Sequence, residues 1–171
     1  MKNWIREISK TIALERNTYS FKPEFYIIFF GLLISLTAAL TSEDIILFGH
    51  KSRSVFDVWS IAHIATGAIL GAFVVGLRRH NIHHPIILLL LISSSWEIVE
   101  HYLEIMNAGI IPQWFGGEES VINRLVADQL SIVVGFAAFK YKPKILPFAL
   151  LIAFIVLSAH IALGDSMYLF N

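Results

Sequence analysis

The sequence contains no cysteine, and this absence excludes disulfide bonds, thiolate metal sites and cysteine nucleophiles. Charge is also sparse, because only 15% of the 171 residues are charged and the formal net charge is zero. The sequence therefore lacks the surplus of basic residues that would indicate nucleic acid as a partner. The first twenty residues lack the continuous apolar core of a cleavable signal peptide, which argues against a segment of that kind.

Apolar residues are abundant instead. They make up 56% of the chain, and the mean hydropathy is +0.68. Soluble domains are typically about 45–50% apolar. A membrane-spanning helix needs about 20 residues, so the chain has room for roughly five or six of them and for no separate soluble domain. The composition therefore predicts an all-α integral membrane protein.

Segments rich in turn formers and charge divide the apolar sequence into five predicted membrane-spanning helices. These spans are predicted near residues 24–41, 56–77, 85–107, 122–139 and 145–165. We therefore expect one five-helix membrane domain over residues 23–171.

Residues 1–22 have a different pattern. Trp4, Ile5, Ile8 and Ile12 recur at three- and four-residue spacing, while basic residues occupy other faces. This arrangement is typical of an amphipathic helix that lies in the membrane interface, and we expect such a helix over residues 1–22. The alternative is a partly ordered basic tail.

The basic residues predict the orientation of the chain, because lysine and arginine collect in cytoplasmic loops. With the N-terminus inside, ten of the 13 lysine and arginine residues fall in inner segments and only Lys51, Arg53 and Arg124 fall in outer ones. We therefore expect a cytoplasmic N-terminus and an extracytoplasmic C-terminus.

Ionisable residues recur at one depth in the predicted spans. A helix rises about 1.5 Å per residue, and the hydrocarbon core is about 30 Å thick. On that scale His63, Glu97, His101, Asp128 and His160 lie about 6 to 12 Å below the outer edge. Ionisable groups at such depths usually face a bundle interior or a wet cavity. The sequence therefore predicts a polar cavity that opens to the outside.

Histidines and carboxylates at one level suit a divalent cation such as zinc, manganese or magnesium. We predict His63, Glu97, His101 and Asp128 as its ligands, with His160 outside the ligand set. Glu97 and His101 are four residues apart and so can reach one ion from a single helix.

A site without metal is the alternative. In that case a buried carboxylate beside His63 would act as a general base. The catalytic residues are predicted to be His63, Glu97, Glu100 and Asp128. The same groups would also fit purely structural pairing or an ion pathway.

Four short motifs occur in order along the chain: D-x5-H-x3-G, W-E-x2-E, G-E-E-S-x2-N and D-x6-G-F. They begin at Asp57, Trp96, Gly117 and Asp128. In this order they resemble an uncharacterised family of small bacterial integral membrane proteins, and more loosely VanZ-like membrane proteins.

The resemblance covers about residues 56–136. It implies a bacterial inner-membrane protein in which His63, Glu97 and Asp128 form the core of the site. The sequence departs from the family pattern at three places. His101 stands in place of asparagine, Glu119 stands in place of aspartate, and the Asn123–Asp128 spacing is one residue longer.

These observations favour a hydrolase or transferase that acts on a lipid or lipid-linked headgroup from the outer leaflet, with or without a metal. Arg124, Asn123 and Asp57 are the predicted substrate-binding residues. A small transporter or ion pathway and a non-catalytic membrane component are the alternatives. The expected partners are membrane lipid and either a second copy of the chain or another membrane protein.

Overall fold

The chain is mainly helical in a computed structural model, which describes residues 6, 10, 23–41, 46–50, 52, 54–77, 84–105 and 120–163. Within these residues, five α-helices are α1 (Pro23–Leu40), α2 (Val58–Leu77), α3 (Pro85–Ile105), α4 (Asp128–Tyr141) and α5 (Leu146–Leu163). Each coincides with one predicted span to within a few residues, apart from the start of α4, and the expectation of a mainly helical fold is confirmed.

Three helices are long and apolar enough to cross a membrane, namely Val58–Leu77, Pro85–Leu103 and Pro143–Leu163. The apolar part of α1, Pro23–Ala38, is shorter. The predicted interfacial helix at residues 1–22 lies outside the described residues, except for Arg6 and Lys10, which are helical and exposed.

Two short strands, β1 (Ile46–Phe48) and β2 (Ser54–Phe56), pair in parallel between α1 and α2. The sequence predicted only a break here, because three-residue strands are too short to show the alternating pattern that marks a strand. The second strand is buried at Ser54 and Val55 and leads directly into α2. This connection fixes where α2 begins.

The buried centre of the bundle is α4. Every residue from Asp128 to Val133 is buried, so this part of the helix is surrounded by its neighbours. The helix with which α4 packs most extensively is α2. A Cβ atom at Gly67 of α2 would overlap the carbonyl oxygen of Ile132, and one at Gly135 of α4 would overlap that of Ile64. Glycine at both positions therefore permits the close approach of the two backbones.

Candidate functional site

Three ionisable side chains from three helices meet in the interior. His63 of α2, Glu97 of α3 and Asp128 of α4 each offer a potential metal-ligand atom, and these atoms lie within 4.8 Å of one another. The imidazole Nδ1 of His63 is 3.9 Å from Oε1 of Glu97, and its Nε2 is 3.5 Å from Oδ2 of Asp128. Both carboxylates are buried, and the imidazole is 12% exposed.

The spacing of these atoms suits a bound cation. Metal–ligand bonds of about 2.0–2.2 Å place neighbouring ligand atoms roughly 3 to 4.3 Å apart. The 3.5 Å and 3.9 Å separations involve different nitrogens of the His63 ring, so only one of them can be a ligand–ligand distance at a given ion. With one ligand atom per residue, the three atoms lie within 4.8 Å of one another, which is close to this range. One imidazole and two carboxylates are ligands that manganese, zinc and magnesium accept.

A capping box positions His63 by fixing the first turn of α2. The backbone N–H of Ser60 donates to Oδ1 of Asp57 at 3.1 Å, and the backbone N–H of Asp57 donates to Oγ of Ser60 at 3.1 Å. Two backbone donors at the helix start are thereby satisfied, which is the function of such a box. His63 follows Asp57 by six residues and so faces inward from the second turn of a firmly capped helix.

Asn123 joins the start of the segment leading into α4 to the start of α2. Its Nδ2 donates to Oδ2 of Asp57 at 3.1 Å, and both residues are completely buried. Ser120 adds a second link, since its hydroxyl donates to the carbonyl of Ser54 at 3.2 Å and accepts from the N–H of Asn123 at 3.1 Å. Asp57 and Asn123 thus hold two helices together, and their role in substrate binding remains a prediction.

A π-helical turn, Asn123–Ala127, precedes α4. The backbone N–H of Asp128 donates to the carbonyl of Asn123, a bond that spans five residues. In a regular α-helix two residues five positions apart would point about 140° away from each other. The wider turn reduces this angle, so that Asn123 and Asp128 both face α2. Turns of this kind occur frequently at functional sites.

Arg124 brings a positive charge to the buried site. Its Nη1 donates to the backbone carbonyl of Glu97 at 3.0 Å, and the residue is only 7% exposed. The bond connects the π-helical turn to α3 at the residue that supplies a carboxylate to the cluster. A guanidinium at this position complements the two nearby acidic side chains.

The structure does not bring every predicted residue to the cluster. The expectation that His101 is a fourth ligand does not fit, because His101 is exposed on α3. His101 follows Glu97 by four residues, so its side chain lies about 6 Å farther along the helix and about 40° around it. This position is beyond the buried face that Glu97 occupies. Glu100 is half-buried and does not belong to the group of converging ligand atoms among the described residues.

His160 contacts the helix that carries His63 without joining the ligand group. Its ring meets Trp59 edge to face, with centroids 4.7 Å apart, and Trp59 lies one turn before His63 on α2. The described ligand group does not include His160. The side chain of Glu104, which shares the predicted polar face of α3, lies outside the described residues.

Sequence reasoning missed several buried polar residues, among them Gln129 and Ser60. Gln129 directly follows Asp128 and is 5% exposed, and Ser60 completes the capping box. The signals were present, since Gln129 is a polar residue at the predicted depth of the cluster and D-x-x-S is a typical helix-start pattern.

The chain belongs to the family described as "Protein of unknown function (DUF2585)", whose sequence profile matches residues 36–170. This match confirms the resemblance to an uncharacterised family, while the looser similarity to VanZ-like proteins stays a prediction. No curated protein and no solved structure matches the chain. Because the family description names no activity, a function has to be argued from the site itself.

Proposed function

We propose that this DUF2585 protein is a membrane-embedded enzyme, a hydrolase or transferase that acts on a lipid or lipid-linked headgroup with a divalent cation. His63, Glu97 and Asp128 are the proposed ligands. The observation that carries the proposal is the grouping of one imidazole and two buried carboxylates from three helices, whose potential ligand atoms lie within 4.8 Å of one another. His101, being exposed, is not part of the proposed ligand set.

The apolar surface of the bundle supports a membrane setting. Large apolar side chains on α5, including Phe148, Leu151, Phe154 and Ile155, are more than half exposed. Such a continuous apolar face is typical of contact with lipid rather than with water. In the proposed arrangement all five helices cross a bacterial inner membrane, with the N-terminus in the cytoplasm, the C-terminus outside and the site near the outer surface. A substrate would then arrive through the outer leaflet.

Each residue of the site has a proposed task. A bound divalent cation would polarise a phosphoryl or acyl group and supply hydroxide. His63 would hold the cation through one ring nitrogen, and Glu97 and Asp128 would hold it through carboxylate oxygens that supply negative charge. A carboxylate oxygen that does not bind the cation would accept the proton of the attacking water. Arg124, which is positively charged and lies beside Glu97, favours an anionic headgroup.

Metal content and turnover of the purified full-length protein test the proposal. Wild type should hold about one divalent cation per chain, and His63→Ala, Glu97→Gln and Asp128→Asn should each lose it. His101→Ala is the matched control, because His101 is on the same helix as Glu97 but exposed. It should keep the metal.

Turnover is measured by incubating each variant with a total bacterial lipid extract and detecting released headgroups by mass spectrometry. Wild type and His101→Ala should release a headgroup, and the three ligand variants should lose at least 100-fold in rate. Stoichiometric metal without turnover would favour ion binding or transport. Wild type that binds no divalent cation would reject the proposal.

A further inference from the structure

Three uncharged side chains on the segments that carry Glu97 and Asp128 bury polar atoms that have no hydrogen-bond partner among the described residues. These atoms are Oγ of Ser93, Oδ1 of Asn123 and both amide atoms of Gln129. The three residues are 3%, 0% and 5% exposed. Buried polar atoms in proteins are nearly always hydrogen-bonded, so such a group of exceptions requires an explanation.

The hydroxyl of Ser93 does not make the hydrogen bond that a serine hydroxyl usually makes within a helix. The hydroxyls of Ser95, Ser35 and Thr37 donate to the carbonyl four residues earlier, at 2.7, 3.0 and 2.9 Å. This back-bonding is the common way in which a helix satisfies a hydroxyl. Ser93 lies in the interior of the same helix as Ser95, but its hydroxyl makes no such bond. Its oxygen is therefore available to a ligand in the interior.

Along the chain, each of the three residues lies within about one helical turn of Glu97 or Asp128. Ser93 is one helical turn before Glu97 on the buried stripe of α3, which also contains Ile86 and Leu89. Gln129 directly follows Asp128 on the buried part of α4. Asn123 is aligned with Asp128 by the π-helical turn. The acceptor atoms are thus distributed along the two helices that supply the carboxylates.

The three residues share an oxygen that accepts hydrogen bonds: a hydroxyl oxygen in Ser93 and an amide oxygen in Asn123 and Gln129. A water molecule bound to a cation directs its lone pair at the metal and its two hydrogens outward. It therefore requires acceptors of this kind. A phosphate or carboxylate ligand would instead require donors. The Ser93 hydroxyl and Nε2 of Gln129 can donate, but Oδ1 of Asn123 can only accept and so points to a donor such as water.

The number of acceptor residues indicates how many water molecules the cation binds. Magnesium, and manganese with similar oxygen preferences, favour six-fold coordination, and magnesium usually keeps several waters. With three protein ligands, six-fold coordination leaves three positions for water. Tetrahedral zinc with three protein ligands leaves one position. We infer that the centre holds a six-coordinate hydrated Mn²⁺ or Mg²⁺ ion, whose bound waters donate to Ser93, Asn123 and Gln129. This inference rests on the proposed cation site.

Manganese binding to the purified full-length protein in detergent tests the inference. Electron paramagnetic resonance during titration with MnCl2 gives the affinity, and the relaxation rate of water protons gives the number of exchangeable waters on the bound ion. Wild type should bind one Mn²⁺ with two or three exchangeable waters. Ser93→Ala and Gln129→Met should each weaken Mn²⁺ binding by about tenfold or more, as is typical when the groups that orient metal ligands are removed.

Ser95→Ala is the matched control, because the Ser95 hydroxyl already bonds to Leu91 and should be irrelevant to the metal. The two test variants also serve as checks on each other, since they change different helices. Bound Mn²⁺ with at most one exchangeable water would overturn the inference, as would wild-type Mn²⁺ affinity in both variants. If wild type binds Zn²⁺ through His63 in that case, the proposed cation site still stands. If wild type binds neither Mn²⁺ nor Zn²⁺, both proposals fail.

Discussion

Nε2 of His63 lies 3.5 Å from Oδ2 of Asp128 across the most extensive helix–helix contact among the described residues. The approach of the two side chains depends on Gly67, one turn after His63, and on Gly135, two turns after Asp128. At each glycine the opposing backbone carbonyl occupies the space where a Cβ atom would be. The distance between the two ionisable groups therefore depends on two glycines, which have no side chain that could react or bind a ligand.

Replacing Gly135 with alanine should destabilise the protein and separate His63 from Asp128. The new methyl group would overlap the carbonyl oxygen of Ile64, which belongs to a rigid helix backbone. Overpacking of this kind costs typically about 1–3 kcal/mol. Thermal unfolding in detergent measures the loss. Gly76→Ala is the control, since a Cβ there meets nothing within 4 Å, and an unchanged or raised midpoint is expected. Equal midpoints for the two variants would contradict this account.

Removal of divalent cations should lower the stability of wild type. A ligand that binds only the folded protein stabilises it by about 2.7 kcal/mol at a concentration 100 times its dissociation constant. We expect the unfolding midpoint to fall when EDTA replaces saturating MnCl2, and to be insensitive to this exchange in Glu97→Gln. The comparison is made by circular dichroism at 222 nm. A cation-dependent shift of the same size in Glu97→Gln would place the binding elsewhere.

Asp57 and Asn123 should be energetically coupled. Asp57→Ala removes both the helix cap of α2 and the acceptor of Asn123 Nδ2, and Asn123→Ala leaves the buried Asp57 carboxylate with one bond fewer. Losing a cap typically costs about 0.5–2 kcal/mol, and a buried partner left unsatisfied costs about 1–3 kcal/mol. A double-mutant cycle on unfolding free energies should give a coupling of about 0.5–3 kcal/mol. Ser120→Ala, which breaks different bonds, supplies a second cycle with Asp57 that should show weaker coupling.

The proposed orientation has a direct test, because the chain has no cysteine of its own to give background labelling. A membrane-impermeant maleimide should label Glu118→Cys in intact cells and should label His80→Cys only after the membrane is opened. The physical reason is the concentration of lysine and arginine in the segments assigned to the cytoplasm. Labelling of the Glu118 variant from the cytoplasmic side alone would reverse the orientation and move the site to the inner leaflet.

The sequence predicted the helices and part of the site, since both depend on spacing along a helix. Long apolar runs predict helices because a helix satisfies its own backbone, and the common depth of His63, Glu97 and Asp128 follows from the rise per residue. Depth does not determine rotation about the helix axis. His101 shares the predicted polar face of Glu97, but only the packing of α3 determines which part of that face is buried.

The π-helical turn could not be predicted from hydrophobic periodicity. A single wide turn changes the direction in which the following side chains point, but it does not change the composition of the segment. The turn closes over five residues, and Asn123 and Asp128 both face α2 as a result. The unpartnered oxygens of Ser93 and Gln129 depend on tertiary packing alone and have no counterpart in the sequence pattern.

The buried position of α4 also affects how the protein would enter a bilayer during synthesis. Arg124 and Asp128 lie within two turns of each other, and each charged residue opposes insertion of an isolated helix by about 2.5–3.5 kcal/mol when it lies at the membrane centre. The groups that bond or face these side chains come from α2 and α3, which are synthesised earlier. In the proposed membrane setting α2 and α3 would therefore already be inserted when α4 leaves the translocon, and α4 would enter the bilayer by packing against them. The order of synthesis would then match the order of assembly.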